Sequence, residues 1–127
     1  MKTILVDAIS TFILKEGGVF KEMYDLLELY PNEKIILTSA NDEQIALHKL
    51  NEMPYKYFTL KHNPEKTDPI YYKKMLENFG FKAEDVVYFE HNMDAVESAK
   101  KAGIKTMFYD ENKKDLGELK TFFDGNL

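Results

Sequence analysis

The sequence predicts a three-layer α/β/α domain in which about five parallel strands are covered by helices on both faces. Short apolar segments alternate with longer segments of helical periodicity along the chain. Glycine or proline separates several of these segments. Strands that alternate with helices form parallel sheets, because each crossover helix returns the chain to the same end of the sheet. The predicted strands cover residues 2–6, 34–37, 57–60, 86–89 and 104–108.

The first two predicted strands are each followed by a helical pattern. A pair of glycines breaks the chain after the first strand, and apolar residues then recur at helical spacing over residues 19–30. Pro31 ends that helix. The second helix covers residues 41–53, because its first two residues are both of capping type and Pro54 stops it.

The second half of the chain repeats this alternation. A helix over residues 69–79 begins with proline, which suits a first turn, and Gly80 closes it. A polar loop follows the fourth strand and leads into a helix over about residues 95–101 that ends at Gly103. The pattern over residues 116–123 predicts a last amphipathic helix.

These connections predict a single Rossmann-like domain over residues 1–127 with no cap domain. The chain between the first two strands holds one turn and one helix, and the chain between residues 39 and 66 holds a helix, a short strand and a loop. Right-handed crossovers place the carboxyl ends of all strands at one edge, where open α/β sheets bind ligands. The polar residues predicted at this edge include Asp7, Thr38, Ser39, Glu90, His91 and Asn92.

Composition narrows the classes of function. The net charge is −5 with no arginine-rich block, which argues against general nucleic-acid binding. The chain has no cysteine, so disulfides, thiolate metal sites and thiol nucleophiles are excluded. No apolar run approaches the roughly 20 residues of a membrane helix, and no signal segment precedes the first strand, so we expect a cytoplasmic protein without a membrane partner.

Four segments bring polar groups to the predicted edge in a fixed order. They are Ile-Leu-Val-Asp ending at Asp7, Ile-Ile-Leu-Thr-Ser ending at Ser39, Lys-Thr-Asp-Pro beginning at Lys66, and Val-Val-Tyr-Phe-Glu-His-Asn-Met-Asp ending at Asp94. Their order and spacing resemble the haloacid dehalogenase superfamily of phosphatases and related hydrolases. The stretch from Lys66 to the Ala-Gly at Gly103 is the most specific part of the resemblance.

The resemblance implies a role for each of these positions. Asp7 matches the nucleophile that takes the phosphoryl group. Thr38 matches the hydroxyl that holds the phosphoryl oxygens, and Lys66 matches the cation that neutralises their charge. Thr38 and Ser39 could alternatively cap the helix that follows them. The neighbouring hydroxyls are expected to bind substrate: Ser10, Thr11 and Ser39.

The loop after the fourth strand matches the loop that helps to hold magnesium in this superfamily. The expected metal ligands are Asp7, Glu90, His91 and Asp94. Magnesium prefers hard oxygen ligands, whereas the imidazole of His91 better suits zinc or another transition metal. His91 therefore has two alternatives, to act as a general acid or base or to be a loop residue without a catalytic role.

The chain also departs from the family pattern at the first strand. Ile9 stands where the family has an aspartate that acts as general acid and base. Losing such a group costs roughly 10²–10⁴-fold in rate. Ser10 replaces the usual glycine of the tight turn, and the metal loop lacks its acidic pair.

We therefore expect a phosphatase-type hydrolase of reduced or altered activity, acting on a phosphorylated small molecule or on an exposed phosphate of a larger substrate. The alternative is a catalytically inactive binding or scaffolding domain. A metal-independent hydrolase of the dehalogenase kind ranks lower, because those enzymes normally carry a cap. A response-regulator receiver domain is rejected, because Leu-Lys-His at residues 60–62 provides no phosphoacceptor aspartate after the third strand.

Overall fold

The computed structural model describes residues 1–127 and contains one five-stranded sheet and five α-helices. The strands are β1 (Thr3–Asp7), β2 (Lys34–Leu37), β3 (Lys56–Phe58), β4 (Val86–Glu90) and β5 (Lys105–Phe108). The helices are α1 (Lys21–Leu27), α2 (Asp42–Leu47), α3 (Pro69–Phe79), α4 (Met93–Lys101) and α5 (Leu116–Asn126). The prediction of an α/β domain with five parallel strands is confirmed.

The sheet has the order β3-β2-β1-β4-β5, with every pair of neighbours parallel. The chain runs outward from β1 to β3 and then returns to β4 on the opposite side of β1. The strand order therefore reverses between β1 and β4. In open α/β sheets, ligands bind outside the carboxyl ends of the strands at this reversal.

Residues that alternate along each central strand point to two separate hydrophobic clusters. In β1, Ile4 and Val6 join the cluster that α1 and α5 cover, whereas Leu5 joins the cluster that α3 and α4 cover. Ile4, Leu5 and Val6 have no exposed surface. A strand that is buried on both faces reads as a continuous apolar run, and this explains why β1 was visible in the sequence.

The third strand lies one residue earlier than the sequence predicts and is shorter. Its last ladder bond runs from the backbone N–H of Thr38 to the carbonyl of Phe58, at 3.1 Å. The hydroxyl of Thr59 then donates to the carbonyl of Ala40 at 2.7 Å. Lys61 and His62 follow with φ of 53° and 64°, so the backbone turns away from the sheet.

The predicted helix over residues 41–53 is interrupted. Asn41 caps α2, because its side chain accepts from the backbone of Gln44 at 3.0 Å, and Gln44 reciprocates. The helix stops at Leu47, and Lys49 adopts a left-handed φ of 54° before a single turn of 3₁₀ helix over Leu50–Glu52. A hydrophobic pattern cannot show such a break, because both helical pieces pack against the same cluster.

The segments between strands leave the edge of the sheet uncovered by any additional domain. Only α1 separates β1 from β2, and only α2 with one 3₁₀ turn separates β2 from β3. The prediction that the chain has no cap is confirmed. None of the helices is long and apolar enough to cross a membrane.

Candidate active site

The carboxyl ends of β1, β2 and β4 border a cavity of about 230 Å³. Only three of its fifteen lining residues are apolar, and Ile9 is one of them. The structure brings together in this cavity six residues that the sequence singled out: Asp7, Thr38, Ser39, Lys66, Glu90 and His91. The cavity is therefore the candidate active site.

Asp7 is the last residue of β1 and is 1% exposed. Its Oδ1 accepts a hydrogen bond from Lys66 Nζ at 2.6 Å. Its Oδ2 accepts from the hydroxyl of Thr11 at 2.7 Å and from the backbone N–H of His91 at 3.2 Å, and it also contacts His91 Nδ1. Donors on both oxygens fix this carboxylate at the floor of the cavity.

Glu90 is the last residue of β4 and has no exposed surface. Its Oε1 lies 2.8 Å from Lys66 Nζ and accepts from the hydroxyl of Tyr88. Its Oε2 accepts from the backbone N–H of Asn92 at 3.0 Å and lies 3.3 Å from His91 Nδ1. Glu90 is thus a second buried carboxylate that shares both cationic neighbours with Asp7.

We call Asp7, Lys66, Glu90 and His91 the charged network. Burial alone would raise the pKa of Asp7, but the Lys66 ammonium and the His91 ring hold it below its usual value. Burial would lower the pKa of Lys66, but Asp7 and Glu90 outweigh it and raise that pKa well above its usual value. Hydrogen bonds to Asp7 and Glu90 raise the pKa of His91 from 6.5 to about 10. The pKa shifts of Asp7, Lys66 and His91 therefore all favour the charged forms of these three side chains.

The pH dependence of stability is expected to report on His91. His91 binds its proton more tightly in the folded protein than in the unfolded chain, because its pKa is raised from 6.5 to about 10. This proton binding stabilises the fold fully below pH 6.5, and the stabilisation is lost as the pH rises towards about 10. Chemical denaturation across this range should show the wild type losing more stability than a His91→Asn variant does. Equal pH slopes for the two proteins would contradict the assigned contacts.

The loop before α3 is shaped to deliver Lys66 to the carboxylates. The backbone N–H of Lys66 donates to Ser39 Oγ at 3.1 Å, which ties this loop to the end of β2. Asp68 caps α3 by accepting from the N–H of Ile70 at 2.9 Å, and Pro69 begins the helix. Lys66 Nζ also donates to the carbonyl of Leu37 at 3.2 Å.

Thr38 presents its hydroxyl to the cavity. Its Oγ1 accepts from the N–H of Ala40 at 3.2 Å, so the hydroxyl proton remains available to a ligand. Its carbonyl accepts from the buried hydroxyl of Tyr71 at 2.8 Å. The alternative that Thr38 or Ser39 caps the next helix is wrong, because Asn41 is the cap of α2.

Three residues of the expected site do not line the cavity. Thr11 is buried beneath Asp7 and holds it by a hydrogen bond. Ser10 has a φ of 71° and borders a different surface depression, beside Leu14. Asp94 is exposed in the first turn of α4, outside the cluster that Asp7, Glu90 and His91 form. The structure thus differs from the expected substrate contacts of Ser10 and Thr11 and from the expected metal contact of Asp94.

Two contributors were missed in the sequence. Tyr88 lies two residues before Glu90 and therefore points to the same face of β4, a signal that period-two alternation could have supplied. His62 lines the cavity, with Nδ1 at 2.9 Å from Glu65 Oε1 and Nε2 at 2.6 Å from Gln44 Oε1. No local pattern indicates this placement, because it depends on the left-handed turn at residues 61 and 62.

The charged network does not fit magnesium. Asp7, Glu90 and His91 bring possible ligand atoms within 4.8 Å of one another. However, magnesium binds through hard oxygen ligands, usually one or two carboxylates completed by waters, and here the ring nitrogen of His91 lies against an oxygen of each carboxylate. Lys66 already lies within 2.8 Å of an oxygen of each carboxylate, and its positive charge opposes a second cation.

Similarity to solved structures supports the fold. The chain is 16% identical to an uncharacterized protein from Corynebacterium glutamicum, with a TM-score of 0.67 over 98% of this chain and 96% of the other. A HAD family enzyme from Bacteroides thetaiotaomicron, solved with magnesium and inorganic phosphate, is 13% identical to this chain. Its TM-score is 0.63 over 85% of this chain and 94% of the other. These likenesses establish the fold.

The UTR4 protein of Saccharomyces cerevisiae is 20% identical over 72% of this chain, with a TM-score of 0.56. The match covers 47% of the UTR4 structure, so this chain spans about half the length of that relative. No curated protein matches the sequence.

The family assignment comes from a match between the sequence and a family model. The model described as haloacid dehalogenase-like hydrolase matches residues 19–109, which is well over half of the 127 residues. The match includes Thr38, Lys66 and Glu90, and it begins after Asp7 and Ile9. The fold, the position of Asp7 and this match agree, and the chain belongs to the haloacid dehalogenase-like hydrolases.

Proposed function

We propose that this protein is a phosphatase-type hydrolase in which Asp7 accepts a phosphoryl group, and that its turnover is low because Ile9 supplies no proton. The observation that carries the proposal is the position of Asp7. It ends the central strand in the lining of a polar cavity, in contact with Lys66, and with Thr38 in the same lining.

The contacts of Asp7 support Oδ1 as the attacking oxygen. Oδ2 has three donor atoms around it, from Thr11 and from the backbone and ring of His91. Oδ1 accepts from Lys66 alone, so one of its lone pairs is free. In the proposed step Oδ1 attacks phosphorus, the bond to the leaving oxygen breaks, and an aspartyl phosphate forms. Lys66 and the Thr38 hydroxyl stabilise charge on the transferred group.

The side chain of Ile9 limits both halves of the reaction. It lines the cavity and carries no group that can protonate a leaving oxygen or activate water. Substrates whose leaving group needs no proton, such as aryl phosphates, should therefore react faster than alkyl phosphates. Hydrolysis of the aspartyl phosphate should be slow for the same reason.

The open cavity favours substrates that present an exposed phosphate. Its volume of about 230 Å³ is small, and no cap encloses it. A phosphorylated small molecule, or a phosphate on a larger substrate, can reach Asp7 without a conformational change of a lid. The complex of the Bacteroides enzyme with inorganic phosphate supports a phosphate ligand for this fold.

A second candidate function is phosphate binding without turnover. The observation that favours it is that Lys66 and His91 already engage both buried carboxylates while the apolar Ile9 lines the same cavity. Such a domain would bind a phosphorylated ligand and release it unchanged.

Replacing Asp7 with asparagine is expected to abolish hydrolysis of p-nitrophenyl phosphate, because the amide cannot attack phosphorus. The measurement is release of p-nitrophenol by purified wild type and Asp7→Asn, without metal and with magnesium, manganese or zinc. Thermal unfolding of both proteins establishes that the variant is folded.

The same assay separates the two candidate functions. Wild-type turnover that Asp7→Asn lacks supports the hydrolase. Equal background rates in both proteins under every condition contradict the hydrolase. A change in the nuclear magnetic resonance spectrum of the wild type on addition of phosphate would then support the binding domain. An Asp25→Asn variant is the matched control, because it makes the same chemical change at an exposed position on α1.

A further inference from the structure

The two cationic side chains of the charged network bridge the carboxylates in parallel. Lys66 Nζ lies 2.6 Å from Asp7 Oδ1 and 2.8 Å from Glu90 Oε1. His91 Nδ1 contacts Asp7 Oδ2 and lies 3.3 Å from Glu90 Oε2. Each carboxylate thus gives one oxygen to the ammonium and the other oxygen to the ring nitrogen.

We infer that His91 occupies the place between Asp7 and Glu90 that a divalent cation would take, and that this protein handles its ligand without a divalent metal. This inference goes beyond the proposed function, because it concerns which cations the site accepts. It applies equally to a hydrolase and to a phosphate-binding domain.

The lone pairs of the carboxylates support the inference. A carboxylate oxygen has about two lone-pair sites in its plane. Asp7 Oδ2 already faces the Thr11 hydroxyl, the His91 backbone N–H and the His91 ring. Glu90 Oε2 accepts from the Asn92 N–H and faces the same ring. A metal could bind these two oxygens only after the ring had left.

The surroundings of the ring support it as well. The backbone of His91 fixes the position of its ring, because the His91 N–H donates to the same Asp7 oxygen that the ring contacts. The Thr11 hydroxyl lies 3.3 Å from the ring nitrogen. The side chain lines the cavity and is 25% exposed, so part of it remains accessible to a ligand.

The position of the two basic side chains explains how a phosphate could approach. Two neighbouring carboxylates repel a phosphate group unless cationic groups lie against them. Lys66 Nζ lies against one oxygen of Asp7 and of Glu90, and His91 Nδ1 lies against the other oxygen of each. A phosphate dianion can then approach Asp7 without a metal between them.

The test is metal binding to wild type, His91→Asp and the matched control His91→Asn. The first variant places a third carboxylate beside Asp7 and Glu90, and the second has similar size without the charge. Manganese is titrated while electron paramagnetic resonance reports the free ion, and magnesium is then added as competitor. We expect His91→Asp to bind manganese at least about tenfold more tightly than the wild type and His91→Asn, because the added carboxylate is a hard oxygen ligand and increases the charge of the ligand set.

Two results would overturn the inference. One is saturable binding of manganese by the wild type itself. The other is that His91→Asp binds manganese no more tightly than His91→Asn does. Should that variant fail to fold, the ring signals of His91 in nuclear magnetic resonance spectra of the wild type decide. Signals unchanged by millimolar magnesium support the inference, and shifted or broadened signals contradict it. None of these readouts depends on phosphatase activity, so a failed proposed function stays distinguishable.

Discussion

Replacing Lys66 with methionine is expected to lower the free energy of unfolding by about 3–5 kcal/mol, because it leaves two buried carboxylates without their shared ammonium. Asp7 and Glu90 are 1% and 0% exposed, so little water solvates the two carboxylates once the ammonium is lost. A typical domain is stable by about 5–15 kcal/mol, so this single change removes a large fraction of the total. Methionine is unbranched like lysine and lacks only its terminal ammonium position, so it keeps most of the aliphatic contacts and removes the charge and its hydrogen bonds.

Urea denaturation of the wild type and Lys66→Met at neutral pH measures this difference. Lys74→Met is the matched control, because Lys74 is exposed on the same helix that Lys66 precedes, and it should change stability by about 0.5 kcal/mol or less. Adding Glu90→Gln to Lys66→Met removes one of the orphaned charges and should restore part of the loss. A Lys66→Met variant as stable as the Lys74→Met control would show that the charged network does not hold the fold.

Replacing Ile9 with aspartate is expected to raise the rate of phosphate-ester hydrolysis by about 10²–10⁴-fold over the wild type, the usual contribution of a general acid and base. Ile9 is two residues beyond Asp7 and lines the same cavity, so the new carboxyl group would lie beside the leaving oxygen. The gain should be larger for alkyl phosphates than for aryl phosphates, because alkyl leaving groups depend more on protonation.

The control for this gain is Ile9→Asn, which has the same size and polarity as the aspartate variant but cannot exchange a proton. Initial rates with one aryl and one alkyl phosphate compare the three proteins. Equal rates for Ile9→Asp and Ile9→Asn would mean that the missing acid does not limit turnover, and the proposal for Ile9 would then fail. A gain that persists in the double variant Asp7→Asn/Ile9→Asp would indicate a mechanism without the Asp7 nucleophile.

The central strands and the residues at their ends could be predicted from the sequence because their signals are local. β1 and β4 are buried on both faces and therefore read as uninterrupted apolar runs that end in Asp7 and Glu90. Edge strand β3 is less buried, and its bounds were wrong by one to two residues. The break in the second helix escaped prediction because a left-handed residue at Lys49 leaves no mark in hydrophobic periodicity.

The sequence predicted which residues lie at the site, but it did not predict which of their side chains contact one another. Parallel topology alone brings Asp7, Thr38 and Glu90 to one edge, so their proximity followed from the order of the strands. Which side chain contacts which depends on loop conformation. The ring of His91 on Asp7 and the tie between Ser39 and the backbone of Lys66 are examples that no sequence spacing specifies.

The charged network also joins parts of the chain that are far apart in sequence. Lys66 is 59 residues from Asp7, and His91 is 84 residues from it. We therefore expect these contacts to form only after β1, β2 and β4 have come together, because each contact closes a long loop of chain. Interactions that form after the folding transition state act mainly on the unfolding rate. The residues that prepare the site for its ligand should thus also lengthen the lifetime of the folded protein.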